Sequence, residues 1–132
     1  MSNVKLVNPP GTETIYESYK FSQATVAGGF VEVSGQVGLA ADFSIPDGIR
    51  EQARNAFTNL KNVLEAAGSG LDQVMHLTQY FTDITDAAAV DEVFTEFFPK
   101  DYPARTVVQV SALVLPQLKL EVQARAVAKR GA

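Results

Sequence analysis

The chain has 132 residues, 46% of them hydrophobic, with a net charge of −4, one histidine and no cysteine. That length suits one domain, 1–132, with enough apolar content for a packed core. The composition excludes disulfides, thiolate metal sites and cysteine nucleophiles, argues against a metal centre built on the lone His76, and makes nucleic acid a poor partner because Lys/Arg surplus is missing.

In chain order, Pro9-Pro10-Gly11 reads as irregular. Phe21 to Val26 reads as a strand, and Ala27-Gly28-Gly29 as a turn. Phe30 to Leu39 alternates, with Val31, Val33 and Val37 on one face and Glu32, Ser34 and Gln36 on the other. Gly35 inside this strand signals a bulge or a close backbone approach. Ala41 to Pro46 reads as a loop. Asp47 to Ala67 carries Ile49, Ala53, Phe57, Leu60, Leu64 and Ala67 at helical spacing, and Gly68 fits the position just past a helix end. Asp72 to Thr82 reads as a strand. A second helix runs from about Asp86 to Phe98, capped by Thr85 or Asp86 and stopped by Pro99. It is expected to bury Val90, Val93, Phe94 and Phe97.

Two strands close the chain, within 103–112 and 118–124, joined around Val114-Leu115-Pro116-Gln117. On the first, Arg105, Val107, Gln109 and Ser111 share a face; on the second, Lys119, Glu121 and Gln123 do. A hairpin through 114–117 would set Glu121 against Val110, about 16 Å along the sheet from Arg105. One small ligand could not then touch both side chains of one chain. The order β-β-α-β-α-β-β implies an α+β fold, with two helices on one face of a sheet and the other face uncovered. Glu32, Ser34, Gln36, Val107, Gln109, Glu121 and Gln123 are assigned to that open face, which a further copy of the chain would cover.

Arg105 offers a planar fork suited to a carboxylate; it reads equally as a strand-end Arg, solvated or paired with an acid. Glu121 could orient or activate water, or be one member of a solvated row. Ser34 can donate a hydrogen bond, but Glu32-Val33-Ser34-Gly35-Gln36 lacks the first glycine of a nucleophile elbow. His76 reads as structural. Gly68-Ser69-Gly70 lacks the Lys-Ser/Thr of a phosphate loop. No apolar run approaches twenty residues, so no membrane span is expected. Met1-Ser2-Asn3-Val4-Lys5 carries no apolar signal, which points to the cytoplasm. Arg125, Lys129 and Arg130 are the main basic gathering.

Phe21-Ser22-Gln23-Ala24, Val33-Ser34-Gly35-Gln36-Val37, Gln52-Ala53-Arg54, Leu60 to Gly68, Phe81-Thr82-Asp83, Pro103-Ala104-Arg105-Thr106 and Leu120-Glu121-Val122-Gln123-Ala124 occur in that order. From about Phe21 to Val127 the chain resembles the reactive intermediate deaminase family (Rid, YjgF-like, L-PSP endoribonuclease). The resemblance implies a chorismate-mutase-like subunit in a homotrimer with clefts between subunits. It implies cofactor-free hydrolysis of enamines and imines, such as 2-aminoacrylate, to 2-keto acids and ammonia. Arg105 would hold the substrate carboxylate and Glu121 the attacking water, with Ser34, Gly35 and Phe21 lining the pocket.

The chain departs from the family's usual pattern at Phe21, commonly Tyr, at Asp91, commonly Asn, and at Val107, commonly Cys. Tyr16 or Tyr19 could supply the missing phenol, and Asp91 could pair with Arg105 and compete with substrate. The alternatives are a specialised deaminase acting on an aminomuconate-like dicarboxylate, and a metabolite-binding or chaperone-like trimer without turnover. Ribonuclease action fits least, for want of a basic groove and a stacking platform.

Overall fold

The computed structural model describes residues 3–129. Arg130, counted above with the basic residues, lies outside them. Among the described residues, one sheet has the order β1-β2-β3-β6-β4-β5. Its strands are β1 (Lys5–Val7), β2 (Ala24–Ala27), β3 (Phe30–Val37), β4 (Val74–Phe81), β5 (Ala104–Gln109) and β6 (Leu120–Val127). The helices are α1 (Glu13–Tyr19), α2 (Ile49–Ala66) and α3 (Ala87–Phe97). The sheet is mixed: β4 and β5 are parallel, and the other pairs antiparallel.

The α+β class stands, with two additions. β1 and α1 precede the first expected strand. A three-residue strand is too short to show a period, and α1 buries none of its residues, so neither leaves an apolar pattern.

Helix α2 forms because Ala53, Ala56, Phe57, Leu60, Val63 and Leu64 recur every three or four residues and make one buried stripe. It ends at Gly68, whose φ of +80° is open to glycine. There Gly68 N–H bonds the Glu65 carbonyl and Ser69 N–H the Leu64 carbonyl, the paired closure of a Schellman motif. Gly68-Ser69-Gly70 is thus a helix stop. α3 stacks beside α2, tied by Arg50–Glu92 and Arg54–Glu96 ion pairs. Phe57 meets Phe94, Phe97 and Phe98 between them. Asp86 occupies the N-cap position of α3, as expected, but its side chain makes no capping bond; just before it the Asp83 side chain accepts from Thr85 N–H and opens a short 3₁₀ turn.

The core lies between these two helices and the facing side of the sheet, at Val31, Val33, Leu77, Phe81, Leu120, Val122, Ala124 and Ala126. Gln52 sits fully buried within it. Its amide donates to the Pro46 and Gln117 carbonyls and its oxygen accepts from Lys119 N–H, so one α2 side chain ties down two loops.

Two expectations about the sheet are overturned. The last two strands do not form a hairpin, because β4 lies between β5 and β6. β5 instead returns through α3 to pair in parallel with β4, with Arg105 opposite Leu77. The alternation of β3 also breaks. Val33 pairs Ala124, yet Gln36 pairs Val122, so a bulge falls at Ser34-Gly35. Beyond it the phase inverts: Gln36 is buried and Val37 takes the open face beside Glu121.

The open face carries Glu32, Ser34, Glu121 and Gln123, as expected. Gln36, Val107 and Gln109 do not belong to it. Val107 and Gln109 register with buried Gln79 and Phe81, on the helix side of the edge strand. The open face also exposes apolar surface at Leu6, Phe30, Met75 and Val108. Among the described residues, no helix is long and apolar enough to cross a membrane.

Candidate active site

The residues singled out from the sequence fall into two groups. The first surrounds Arg105. Its partner Leu77 is fully buried beneath the helices, so Arg105 points to the helix side of β5. There its guanidinium lies over the Phe94 ring, 3.9 Å from the centroid. Nε donates to Gln79 Oε1 at 2.6 Å, and Nη2 donates to Asp91 Oδ1 at 2.5 Å. Ring face, amide and carboxylate thus hold three sides of one planar group. The Asp91 pairing expected from the sequence is present. Val107 is two residues along the same strand and 39% exposed.

Gln79 and Phe94 were not among the sequence candidates. Phe94 was assigned to the core, and it serves both roles. Gln79 carries a legible signal: it occupies the apolar phase of β4 between Leu77 and Phe81. A strand spends a buried position on an amide only where something polar needs it. The Gln79 oxygen serves Arg105; its buried Nε2 has no partner among the described residues.

The second group lies on the open face around the β3 bulge. Glu121 is half-buried, and removal from water pushes its carboxyl above the ordinary glutamate range. Its side chain lies across Gly35. A Cβ on Gly35 would overlap the Glu121 carboxylate, with Cδ only 2.5 Å away. The bulge and the missing side chain together make room for this acid. Ser34 Oγ donates to the Ser22 carbonyl at 2.6 Å and Ser34 N–H to the Gln23 carbonyl, which brings the Phe21-Ser22-Gln23 segment alongside. Asn8 fastens that segment from the other side, through Ser22 Oγ and Gln23 N–H. Phe21 is 38% exposed, and Tyr16 and Tyr19 are exposed on α1.

The expectation that Arg105 and Glu121 share the open face is overturned: they lie on opposite faces. The physical reason is the intervening β4, with Arg105 opposite Leu77 and Glu121 opposite Tyr80. Three residues along and two strands across give a backbone separation of about 14 Å. His76 bonds Thr106 across β4 and β5 on the open face.

This geometry can be set beside known proteins. Residues 12–128 match the family model described as Endoribonuclease L-PSP. The RutC family protein UK114 of Drosophila melanogaster is 44% identical over 100 residues, covering 74% of this chain and 72% of that protein. A 2-iminobutanoate/2-iminopropanoate deaminase of Capra hircus is 37% identical over 95 residues, covering 70% of this chain and 69% of its own. The crystal structure of yeast Mmf1 superposes with a TM-score of 0.85 at 32% identity, covering 96% of this chain and 99% of that one.

Proposed function

The chain belongs to the endoribonuclease L-PSP family, the Rid/YjgF group that includes named imine deaminases, and we propose that it hydrolyses 2-imino acids and their enamine tautomers to 2-keto acids and ammonia. The observation that carries this reading is Arg105: held on three sides, with no hydrogen-bond partner on its remaining N–H edge among the described residues, it is a preformed carboxylate grip.

An enamine first takes a proton on carbon to become an iminium, the better electrophile. Water adds to the iminium carbon and gives a proton to Glu121, which returns it to the carbinolamine nitrogen; the hydroxyl then loses its proton to Glu121 as the C=O bond forms, the C–N bond breaks and ammonia departs. Arg105 fixes the carboxylate. Glu121, ionised, orients the water and accepts its proton. Ser34 and the backbone at Gly35 line the pocket with Phe21, Asp91 and Val107. The demand is modest, since imines hydrolyse readily in water and positioning supplies most of the gain. No cofactor or metal enters this scheme. The chain acts as one domain, 1–132.

The active unit is a homotrimer whose clefts take Arg105 from one subunit and Glu121 from the next. Its support is the placement of the two groups on opposite faces, together with an open sheet face bearing exposed Phe30, Met75 and Val108. The family resemblance supports the number three.

The test couples an amino-acid oxidase, which generates 2-imino acids, to semicarbazide trapping of what remains. Wild type accelerates imine loss, and Arg105→Ala and Glu121→Gln each abolish the acceleration. Refolding the two inactive variants together restores activity, because mixed trimers contain clefts with both native groups. Activity in neither wild type nor mixture overturns the deaminase reading. Active wild type with no recovery in the mixture overturns the shared cleft alone.

A further inference from the structure

Asp91 is 60% exposed at its side chain, on the solvent side of α3, and only its Oδ1 is engaged, by Arg105 Nη2. Arg105 is 25% exposed. Gln79 and Asp91 take Nε and one side of Nη2, Phe94 covers one face of the guanidinium, and the rest of the Nη1/Nη2 edge has no hydrogen-bond partner among the described residues. A carboxylate reaching that edge arrives next to the Asp91 carboxylate, whose Oδ2 has no hydrogen-bond partner among the described residues. Cation and anion therefore stand side by side, both accessible, held in place by a buried amide and an aromatic ring.

We infer that Arg105 and Asp91 together read a zwitterionic head, the Arg taking the ligand carboxylate and the Asp the ligand's cationic nitrogen. The inference rests on the proposed role of Arg105 and adds a selectivity that Arg105 alone lacks. The substrate iminium carries a carboxylate and a positive nitrogen. The product keto acid keeps the carboxylate and has lost the nitrogen. A second carboxylate beside Arg105 attracts the first and repels the second, since like charges at this range disfavour binding. Asp91 thus makes the site hold substrate in preference to product. For the same reason it disfavours dicarboxylates, whose second acid group would meet Asp91.

The probes are L-2-aminobutanoate and 2-oxobutanoate, which share a carbon skeleton and differ at the nitrogen, titrated calorimetrically into the full chain. Wild type binds the amino acid more tightly than the keto acid. Asp91→Asn keeps the side-chain shape and removes the charge, and it lowers that preference by about tenfold, with the keto acid gaining. Circular dichroism confirms the variant's fold. If Asp91→Asn leaves the preference unchanged while Arg105→Ala abolishes binding of both probes, the inference falls and the Arg105 reading stands. If Arg105→Ala binds both probes as wild type does, or wild type binds neither, the Arg105 reading falls and takes the inference with it.

Discussion

Arg105 and Glu121 stand on opposite faces of one sheet, separated by β4, with Arg105 opposite Leu77 and Glu121 opposite Tyr80. Each is prepared by its own surroundings: a carbonyl oxygen, a carboxylate and a ring for the cation, and a bulge with a bare glycine for the acid. Neither set of surroundings contains the other group. The register of the sheet alone places the two groups on different surfaces of one chain.

The planar fork of Arg105 cannot be replaced by charge alone. Arg105→Ala should lower kcat/KM for imine hydrolysis by roughly 10²-fold or more. Arg105→Lys keeps the charge but loses the bond to Gln79 and the stacking on Phe94, and should recover only a small part. Steady-state kinetics on both variants checks this, with circular dichroism to show that the fold persists.

Glu121 should trade stability for reactivity. Folding raises its pKa, so the folded protein keeps a proton there that the unfolded chain releases. Stability is therefore full below the ordinary glutamate range and falls as pH climbs through the raised value. Glu121→Gln has no charge to desolvate. It should melt higher than wild type at neutral pH, and the gap should close as pH drops below the ordinary glutamate range. Thermal scans across pH read this directly. In wild type, the acid limb of the rate profile should lie above the usual glutamate range.

Two glycines on the same segment should fail in different ways. At Gly35 a Cβ meets the mobile end of the Glu121 side chain, so Gly35→Ala should displace the acid and cost activity with little change in melting temperature. At Gly38 a Cβ meets Gln52 Cα at 2.8 Å and Cβ at 2.7 Å, which belong to the rigid body of α2. Gly38→Ala should then cost about 1–3 kcal/mol of stability. Paired melting and rate measurements distinguish the two.

The ion pairs bridging α2 and α3 should matter little. Arg50 and Arg54 are about half exposed, as are their partners Glu92 and Glu96 or more so. Arg54→Ala should leave the denaturation midpoint nearly unchanged, as expected for a solvated pair, and denaturant titration will show it.

Periodicity was informative wherever an element had one buried side. β4 and β6 alternate, β3 does so as far as its bulge, α2 and α3 carry apolar stripes, and all five are legible near their observed bounds. Pairing was not. Period two says that Arg105 and Val107 share a face, but nothing in residues 103–112 says which face, because β5 is an edge strand with none of its residues buried. The pattern also gave no sign that the chain would return through α3 beside β4. Gly35 announced the bulge, yet its effect on Gln36 and Val37 depended on how many residues it inserted. Asp91 was found through resemblance; Gln79 could have been found as an amide on the apolar phase of a strand.

The parallel return of β5 bears on the order in which the protein yields. β5 joins the sheet on one side only, through β4, and is reached by the whole length of α3. Its amides should lose protection against hydrogen exchange before those of β6, which is bonded on both sides. Arg105 therefore rides on an edge strand, while Glu121 sits on an interior one. A ligand gripping Arg105 would quiet that outer strand, and slower exchange along Ala104–Gln109 would report occupancy even where no turnover occurs.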